Sequence, residues 1–140
     1  MKSLILSFLT FSVLVLNPAC RKEAAYQVPY AAVNLEININ NPQYVNLGHT
    51  GGWVYSNGGL KGLILYRKDQ GTINAYDRQS PFDIEAGCRM SVDSTEIYAE
   101  DTCSKSKFLL IDGSASSGPA SRGMIQYQTT FDGTILRVNN

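Results

Sequence analysis

The fold class is decided by Val33-Asn34-Leu35-Glu36-Ile37-Asn38-Ile39-Asn40, a stretch in which aliphatic and polar residues alternate without a break. Successive side chains of a β-strand point to opposite faces of the sheet. The alternation therefore puts the aliphatic side chains on one face and the polar side chains on the other. The stretch predicts a strand that is buried on one side only.

Turn signals follow at short intervals along the rest of the chain, among them Asn41-Pro42, Gly51-Gly52 and Asp132-Gly133. The runs between such signals predict further strands at residues 53–55, 62–67, 72–76, 94–98, 108–111, 125–130 and 134–138. No segment carries the apolar period of an amphipathic helix, and no long internal repeat is present. We expect an all-β fold, a small antiparallel sandwich or barrel.

The N-terminus carries an export signal. Lys2 supplies a positive start, and residues 4–16 are apolar apart from Ser and Thr, which is typical of a signal peptide and too short to span a bilayer. The following Asn-Pro-Ala precedes Cys20 and resembles a bacterial lipobox, with Asn17 where Leu is usual. We expect a signal peptide over residues 1–19 and lipidation of Cys20. Ordinary cleavage that leaves Cys20 as a free thiol is the alternative.

The rest of the chain suits a tether and one domain. Residues 20–32 show no periodicity and contain a proline, so we interpret them as the lipidated cysteine and a tether, followed by a β-domain over residues 33–140. The 12 Lys and Arg residues balance the 12 Asp and Glu residues, and like charges form no long run. The composition therefore predicts neither a nucleic-acid partner nor a polybasic membrane patch.

Several motifs, in their order along the chain, resemble the framework of Rieske-type [2Fe-2S] domains, especially the lipoprotein versions common in Bacteroidetes. They are Gly51-Gly52-Trp53-Val54-Tyr55, the Gly-Leu-Lys-Gly-Leu-Ile-Leu-Tyr-Arg of residues 59–67, Ala75-Tyr76-Asp77-Arg78 and Gly118-Pro119-Ala120. The resemblance covers residues 48–140. It implies a Rieske-like sandwich or barrel in which two loops meet at a tip.

The cluster ligands of that family are missing from this chain. Rieske domains hold their cluster with two Cys thiolates and two His imidazoles, in Cys-Pro-His and Cys-x-x-His loops. Laying the first loop over this sequence puts Ser80 and Phe82 where the Cys and His of Cys-Pro-His belong. Alignment of Ser106-Lys107-Phe108 with the Ser-x-Phe of the second loop puts Asp101 at its Cys and Ser104 at its His. The one histidine of the chain, His49, precedes both loops. We therefore expect a degenerate site with no cofactor and no metal.

The resemblance also suggests a partner for each remaining thiol. Cys103 falls at the cysteine that respiratory Rieske proteins use for a disulfide between their cluster loops, and Cys88 lies a few residues beyond the other half of that disulfide. An exported protein can keep such a bond. We predict a Cys88–Cys103 disulfide, and two unconnected thiols are the alternative.

Other candidate residues favour structural roles. His49 in a loop suits solvation better than metal binding, and the charged pair Asp77-Arg78 suits the fixing of a loop better than anion binding. The serines near residues 104–117 lack a histidine base, so serine hydrolysis is not predicted. Residues 113–118 are rich in Gly and Ser and predict a flexible loop. Aromatic residues near the strand ends suit core packing.

The functional prediction is an exported, non-enzymatic lipoprotein of the cell envelope that serves as a structural or interaction module. Its expected partners are the membrane, through the lipid anchor, and an envelope protein. No Asp follows Cys20, so we expect the outer membrane, facing the periplasm or the surface. Two alternatives stay open: an electron-transfer protein that binds a [2Fe-2S] cluster with unusual ligands, and a carrier of a small ligand in a pocket between the sheets.

Overall fold

The computed structural model describes residues 31–140, whose secondary structure is mainly strand. The expected signal peptide, Cys20 and most of the expected tether lie outside the described residues. The strands are β1 (Asn34–Asn38), β2 (Trp53–Ser56), β3 (Leu63–Arg67), β4 (Ile73–Asp77), β5 (Met90–Val92), β6 (Tyr98–Asp101), β7 (Lys107–Leu109), β8 (Ala115–Ser117), β9 (Gln126–Phe131) and β10 (Ile135–Asn139). Two 3₁₀ helices, Pro42–Gly48 and Ile84–Ala86, lie between strands.

The strands form two sheets. One has six strands in the order β1-β10-β9-β4-β3-β2, and the other has four in the order β5-β6-β7-β8. All their pairings are antiparallel, which confirms the predicted fold class. The first and last strands pair in register from Asn34↔Asn139 to Asn38↔Ile135. Within residues 31–140 no helix is long and apolar enough to cross a membrane.

The alternating stretch forms the predicted half-buried strand. Val33, Ile37 and Ile39 are buried, and Leu35 packs against them at the margin of the same core. The polar residues between them face outward, because a pleated strand sends neighbouring side chains to opposite sides. Ile39 continues the ladder beyond β1 by donating a 3.0 Å backbone hydrogen bond to Thr134.

Strands β3 and β4 are buried on both faces and join two apolar clusters. Leu63, Leu65 and Ala75 belong to a cluster inside the six-stranded sheet, whereas Ile64 and Tyr76 belong to a second cluster. The four-stranded sheet completes the second cluster with Met90, Ala99 and Phe108. Each large side chain fully buried in this way stabilises the fold by about 1.5–3 kcal/mol. The second cluster therefore holds the small sheet, and the loops it carries, against the large one.

The prediction of a strand at residues 94–98 is wrong. This segment is a turn, and β6 begins only at Tyr98. The carboxylate of Asp93 accepts hydrogen bonds from the backbone N–H and the hydroxyl of Thr95, at 3.0 and 2.5 Å, and Glu96 has a φ of 58°. A side chain that bonds the backbone two residues later favours a turn over a strand.

Four short elements were not predicted, and one of them is the 3₁₀ helix Ile84–Ala86. Strand β5 precedes the turn at Asp93, and β8 lies within the Gly- and Ser-rich stretch that predicts a flexible loop. The 3₁₀ helix Pro42–Gly48 begins with Pro at its first positions and buries Leu47 completely. Three-residue strands carry too little alternation to be recognised from sequence.

Candidate functional site

The two loops that the resemblance assigns to a cluster site meet at one end of the small sheet. A disulfide joins Cys88 to Cys103, with Cα atoms 6.1 Å apart and a sequence separation of 15. This distance lies in the usual range for disulfides, and the predicted pairing is confirmed. Ser80 reinforces the junction at the base of the first loop by donating its backbone N–H to the carbonyl of Cys88, at 2.9 Å. We call residues 79–90 and 101–107 the tip.

Three of the four positions matched to cluster ligands converge on one buried carboxylate. Asp101 and Ser80 are fully buried, and the Ser80 hydroxyl donates to Oδ2 of Asp101 at 2.8 Å. The Ser104 hydroxyl donates to the same oxygen at 2.6 Å. Ser104 and Ser106 are linked through their hydroxyls at 2.8 Å. The centre of the tip is thus closed by a network of hydroxyl groups around Asp101, which we call the Asp101 network.

The fourth position, Phe82, contributes its backbone and not its side chain. Its N–H donates to the Ser80 hydroxyl at 3.1 Å, and its carbonyl lies 3.2 Å from the same hydroxyl. The ring is 37% exposed, so it belongs to the outer surface of the tip. The structure therefore separates Phe82 from the three polar positions that meet inside.

Asp101 is ionised in this setting. Burial by itself raises the pKa of a carboxyl group, but hydrogen bonds from the Ser104 hydroxyl, the Cys103 N–H and the Ser80 hydroxyl outweigh burial and lower the pKa of Asp101 below its usual value. The Cys103 N–H reaches Oδ1 at 3.0 Å. A carboxylate held in this way is a weaker base than an ordinary Asp side chain.

The donor atoms at the tip do not fit a Rieske cluster. Both sulfur atoms are consumed by the disulfide, and His49 lies at the end of the first 3₁₀ helix, before β2. Cys88, Asp101 and Cys103 place one potential ligand atom each within 4.8 Å of one another. Two thiolates for one iron and two imidazoles for the other cannot be drawn from this set.

The Gly118-Pro119-Ala120 motif covers the tip from the side. The N–H of Ala120 donates to the Ser106 hydroxyl at 3.1 Å, which ties this segment to the Asp101 network. A Cβ atom on Gly118 would come within 2.6 Å of Cα of Ser106, and Gly118 has a φ of 90°. Only glycine combines this backbone conformation with so close an approach.

Asp77 and Arg78 fasten the tip to the large sheet, as the sequence predicted for this pair. Asp77 is fully buried and accepts hydrogen bonds from the backbone N–H groups of Leu60 at 2.6 Å and Lys61 at 3.1 Å, and from the hydroxyl of Tyr127 at 2.8 Å. Burial and the bond to Asp77 raise the pKa of that tyrosine. These contacts explain the motif around residue 60, whose backbone wraps the Asp77 carboxylate.

Arg78 links the two sheets. Its backbone N–H donates to the carbonyl of Gly62 at 2.8 Å, and its carbonyl accepts the backbone N–H of Met90 at 2.7 Å. Its guanidinium Nε donates to the carbonyl of Met90 at 2.9 Å, and the guanidinium carbon Cζ lies 3.7 Å from the centre of the Tyr55 ring. A cation over an aromatic face adds further attraction.

Sequence inspection missed two contributors to this region. Ser106 served only as an alignment anchor, yet its buried hydroxyl joins the Asp101 network. Tyr55 was assigned to core packing, but it is 39% exposed and its hydroxyl accepts the N–H of Val92 at 2.9 Å, across the two sheets. Neither role has a local sequence signal, because both depend on which strands become neighbours.

Comparison with known proteins supports the fold. No protein-family model and no curated protein matches the sequence. The crystal structure of the plasma membrane Rieske protein PetC3 from the cyanobacterium Synechocystis PCC 6803 is similar, with a TM-score of 0.57 and 17% sequence identity over 77% of this chain and 99% of that chain. At this identity the likeness shows the fold alone. The chain therefore has the Rieske-like fold that its motifs indicated.

Proposed function

We propose that this chain is an exported, lipid-anchored protein of the cell envelope that uses a Rieske-like fold without a cluster, as a non-enzymatic structural or interaction module. The observation that carries the proposal is the Asp101 network. It joins by hydrogen bonds three of the positions that the resemblance assigns to cluster ligands, and the Cys88–Cys103 disulfide links the two loops covalently.

The anchor and the location rest on the sequence. The apolar segment before Cys20 supports export and lipidation, and the residues after Cys20 favour the outer membrane. An acylated protein would stay at the membrane surface, because each buried methylene contributes about 0.8 kcal/mol. The disulfide supports an oxidising compartment on independent grounds.

The tip has the character of a protein contact surface. Phe82 presents an aromatic ring at its outer end, on a backbone fixed by Ser80 and by the disulfide. Aromatic side chains on rigid supports are frequent energetic centres of protein interfaces. A fixed loop also loses less conformational entropy on binding than a mobile one.

Cross-linking in native membranes tests the interaction role. We expect a discrete adduct with an envelope protein from the wild-type chain, and its loss from the Phe82→Asp variant, which places a charge in the contact. The Val45→Asp variant is the matched control, since Val45 is 67% exposed and lies on the first 3₁₀ helix, outside the two loops that define the tip. Equal adducts from wild type and both variants would exclude the tip as the contact surface.

One observation favours the alternative of a metal centre with unusual ligands. Cys88, Asp101 and Cys103 are close enough to share an ion once the disulfide is reduced. The Asp101 oxygens are already engaged by two hydroxyls and an N–H, which ion binding would have to displace. The cluster-free proposal is therefore preferred.

A further inference from the structure

A polar cleft opens beside the gap between the two sheets, outside the Asp101 network. It has a volume of about 210 Å³. The first 3₁₀ helix, the end of β2 and the residue before β5 supply its walls, which are lined by Gln43, Tyr44, Tyr55, Ser56, Asn57 and Arg89. Sites for drug-sized ligands measure roughly 300–1,000 Å³, so this cleft suits a smaller molecule.

Arg89 is the charged residue among those that line the cleft, in a chain whose net charge is 0. Arg89 is exposed, and its guanidinium lies beside Gly62. Nη2 is 3.1 Å from the position that a Cβ atom on Gly62 would occupy. Arg78 lies behind it, over the Tyr55 ring, and Lys61 borders the same loop through Gly87. The ion pairs found within residues 31–140 include none of these three cations. An exposed guanidinium that no ion pair engages is available to bind an anion.

The walls of the cleft are fixed before any ligand arrives. The backbone of Arg89 forms a β-bridge with Gln79, its carbonyl accepts the Thr102 hydroxyl at 3.2 Å, and its neighbour Cys88 is held by the disulfide. Tyr55 is held by its hydrogen bond to Val92. Groups held in place in advance bind without a large loss of conformational entropy.

The lining indicates what kind of ligand fits. A guanidinium presents its N–H donors as a planar fork that matches a carboxylate. The amides of Gln43 and Asn57 can each donate and accept, which suits hydroxyl groups. Tyr44 and Tyr55 add aromatic surface for the less polar face of a small molecule. A small anion without hydroxyl groups would not contact the two amides or the two tyrosine rings.

We propose that this cleft binds a hydroxylated carboxylate of about monosaccharide size, an acidic sugar, with its carboxylate on Arg89. The site is independent of the cluster question, because its lining residues lie outside the Asp101 network. Sugar binding and iron content can therefore be tested separately, because either result is possible with or without the other.

Isothermal titration of the full-length protein in detergent with glucuronate, glucose and acetate tests the proposal. We expect saturable binding of glucuronate and binding of glucose and acetate that is at least about tenfold weaker, since each lacks one half of the recognised chemistry. Saturable binding of glucose equal to that of glucuronate, or no binding of glucuronate at all, would refute an acidic-sugar site.

Variants separate the site from general attraction. Arg89→Gln should weaken glucuronate binding about tenfold or more, and Arg89→Lys should weaken it less. Arg137→Gln removes an equal charge from β10, where Arg137 pairs with Glu36 at 3.1 Å, and should leave binding unchanged. Thermal unfolding shows whether Arg89→Gln is folded, and Arg89→Lys provides the comparison if it is not. Equal losses in the Arg89 and Arg137 variants would show nonspecific charge attraction and overturn the proposal.

Discussion

The Ser80 hydroxyl donates a 2.8 Å hydrogen bond to the Asp101 carboxylate across the two loops of the tip. The resemblance to Rieske domains matches both residues to cysteine ligands, one in each loop. In this chain a hydrogen bond joins the two side chains directly. The tip therefore has a direct hydrogen bond between its loops, and the disulfide beside it supplies a second, covalent link.

The Asp101 network should make the free energy of unfolding depend on pH in the acid range. The pKa of Asp101 is lower in the folded state than in the unfolded state, where it is near 3.8. The ionised carboxylate therefore contributes its full stability at pH values above 3.8, and this contribution is lost as the pH falls through the folded-state pKa. We expect Asp101→Asn to lower the free energy of unfolding by about 2 kcal/mol at neutral pH. This difference should shrink below about pH 4.

Urea unfolding of wild type and Asp101→Asn from pH 7 to pH 3 measures this effect. Glu85→Gln, an exposed change in the other loop of the tip, is the control and should track wild type. A difference between wild type and Asp101→Asn that is constant down to the lowest pH would show that the charge of Asp101 is not what stabilises the tip.

The disulfide should account for a sizeable part of the stability. Closing a loop of this length stabilises a fold by about 3 kcal/mol on the chain-entropy model. We expect reductant to lower the urea midpoint of the wild type, with Cys103 as the sulfur first attacked because Cys103 is exposed and Cys88 is buried. A Cys88→Ser, Cys103→Ser double variant should start at the lower midpoint and not respond to reductant. A wild type insensitive to reductant would contradict the prediction.

Sequence periodicity predicted most of the large sheet and little of the small one. The stretch from Val33 and the run through Ile64 carry enough aliphatic residues to mark their strands. By contrast, β5 and β8 are three residues long, and their pairing depends on β6 and β7 being placed beside them. Tertiary context decides such elements, and local propensity cannot.

The resemblance predicted the Cys88–Cys103 disulfide, which the structure has. It also assigned Ser80, Asp101 and Ser104 to ligand positions, but it did not predict the hydrogen bonds among them. That the polar positions bond to one another could not be inferred, because hydroxyl and carboxylate groups serve equally well on a solvated surface. The additional member Ser106 reaches the network only through the turn at Lys105, where φ is 61°.

The hydrogen bond between Tyr127 and Asp77 should be measurable as a coupling. Tyr127→Phe removes one buried hydrogen bond and should cost about 1 kcal/mol, whereas Asp77→Asn also weakens the acceptor for the Leu60 and Lys61 N–H groups and should cost more. Chemical unfolding of both variants and their combination gives the coupling, which we expect to be about 0.5–3 kcal/mol. Strict additivity would show that the bond contributes nothing. Tyr66→Phe, on strand β3 of the same sheet, controls for loss of a hydroxyl.

The lipid anchor should depend on Cys20 alone. Metabolic labelling with a radioactive fatty acid should label the wild type and not the Cys20→Ser variant, and the variant should leave the membrane fraction because no acyl chain holds it. The Cys88→Ser, Cys103→Ser variant should be labelled like wild type. Labelling of the Cys20→Ser variant equal to that of the wild type would contradict lipidation at Cys20.

Iron content tests the central claim most directly. The full-length protein, produced in a bacterium that assembles iron–sulfur proteins and purified without chelators, is analysed for iron and sulfide and examined by EPR after reduction with dithionite. A Rieske-like fold closed by Ser80, Asp101 and Ser104 predicts a colourless protein with no stoichiometric iron and no reduced-cluster signal. Two irons and two sulfides per chain, with the EPR signal of a reduced [2Fe-2S] cluster, would contradict the account.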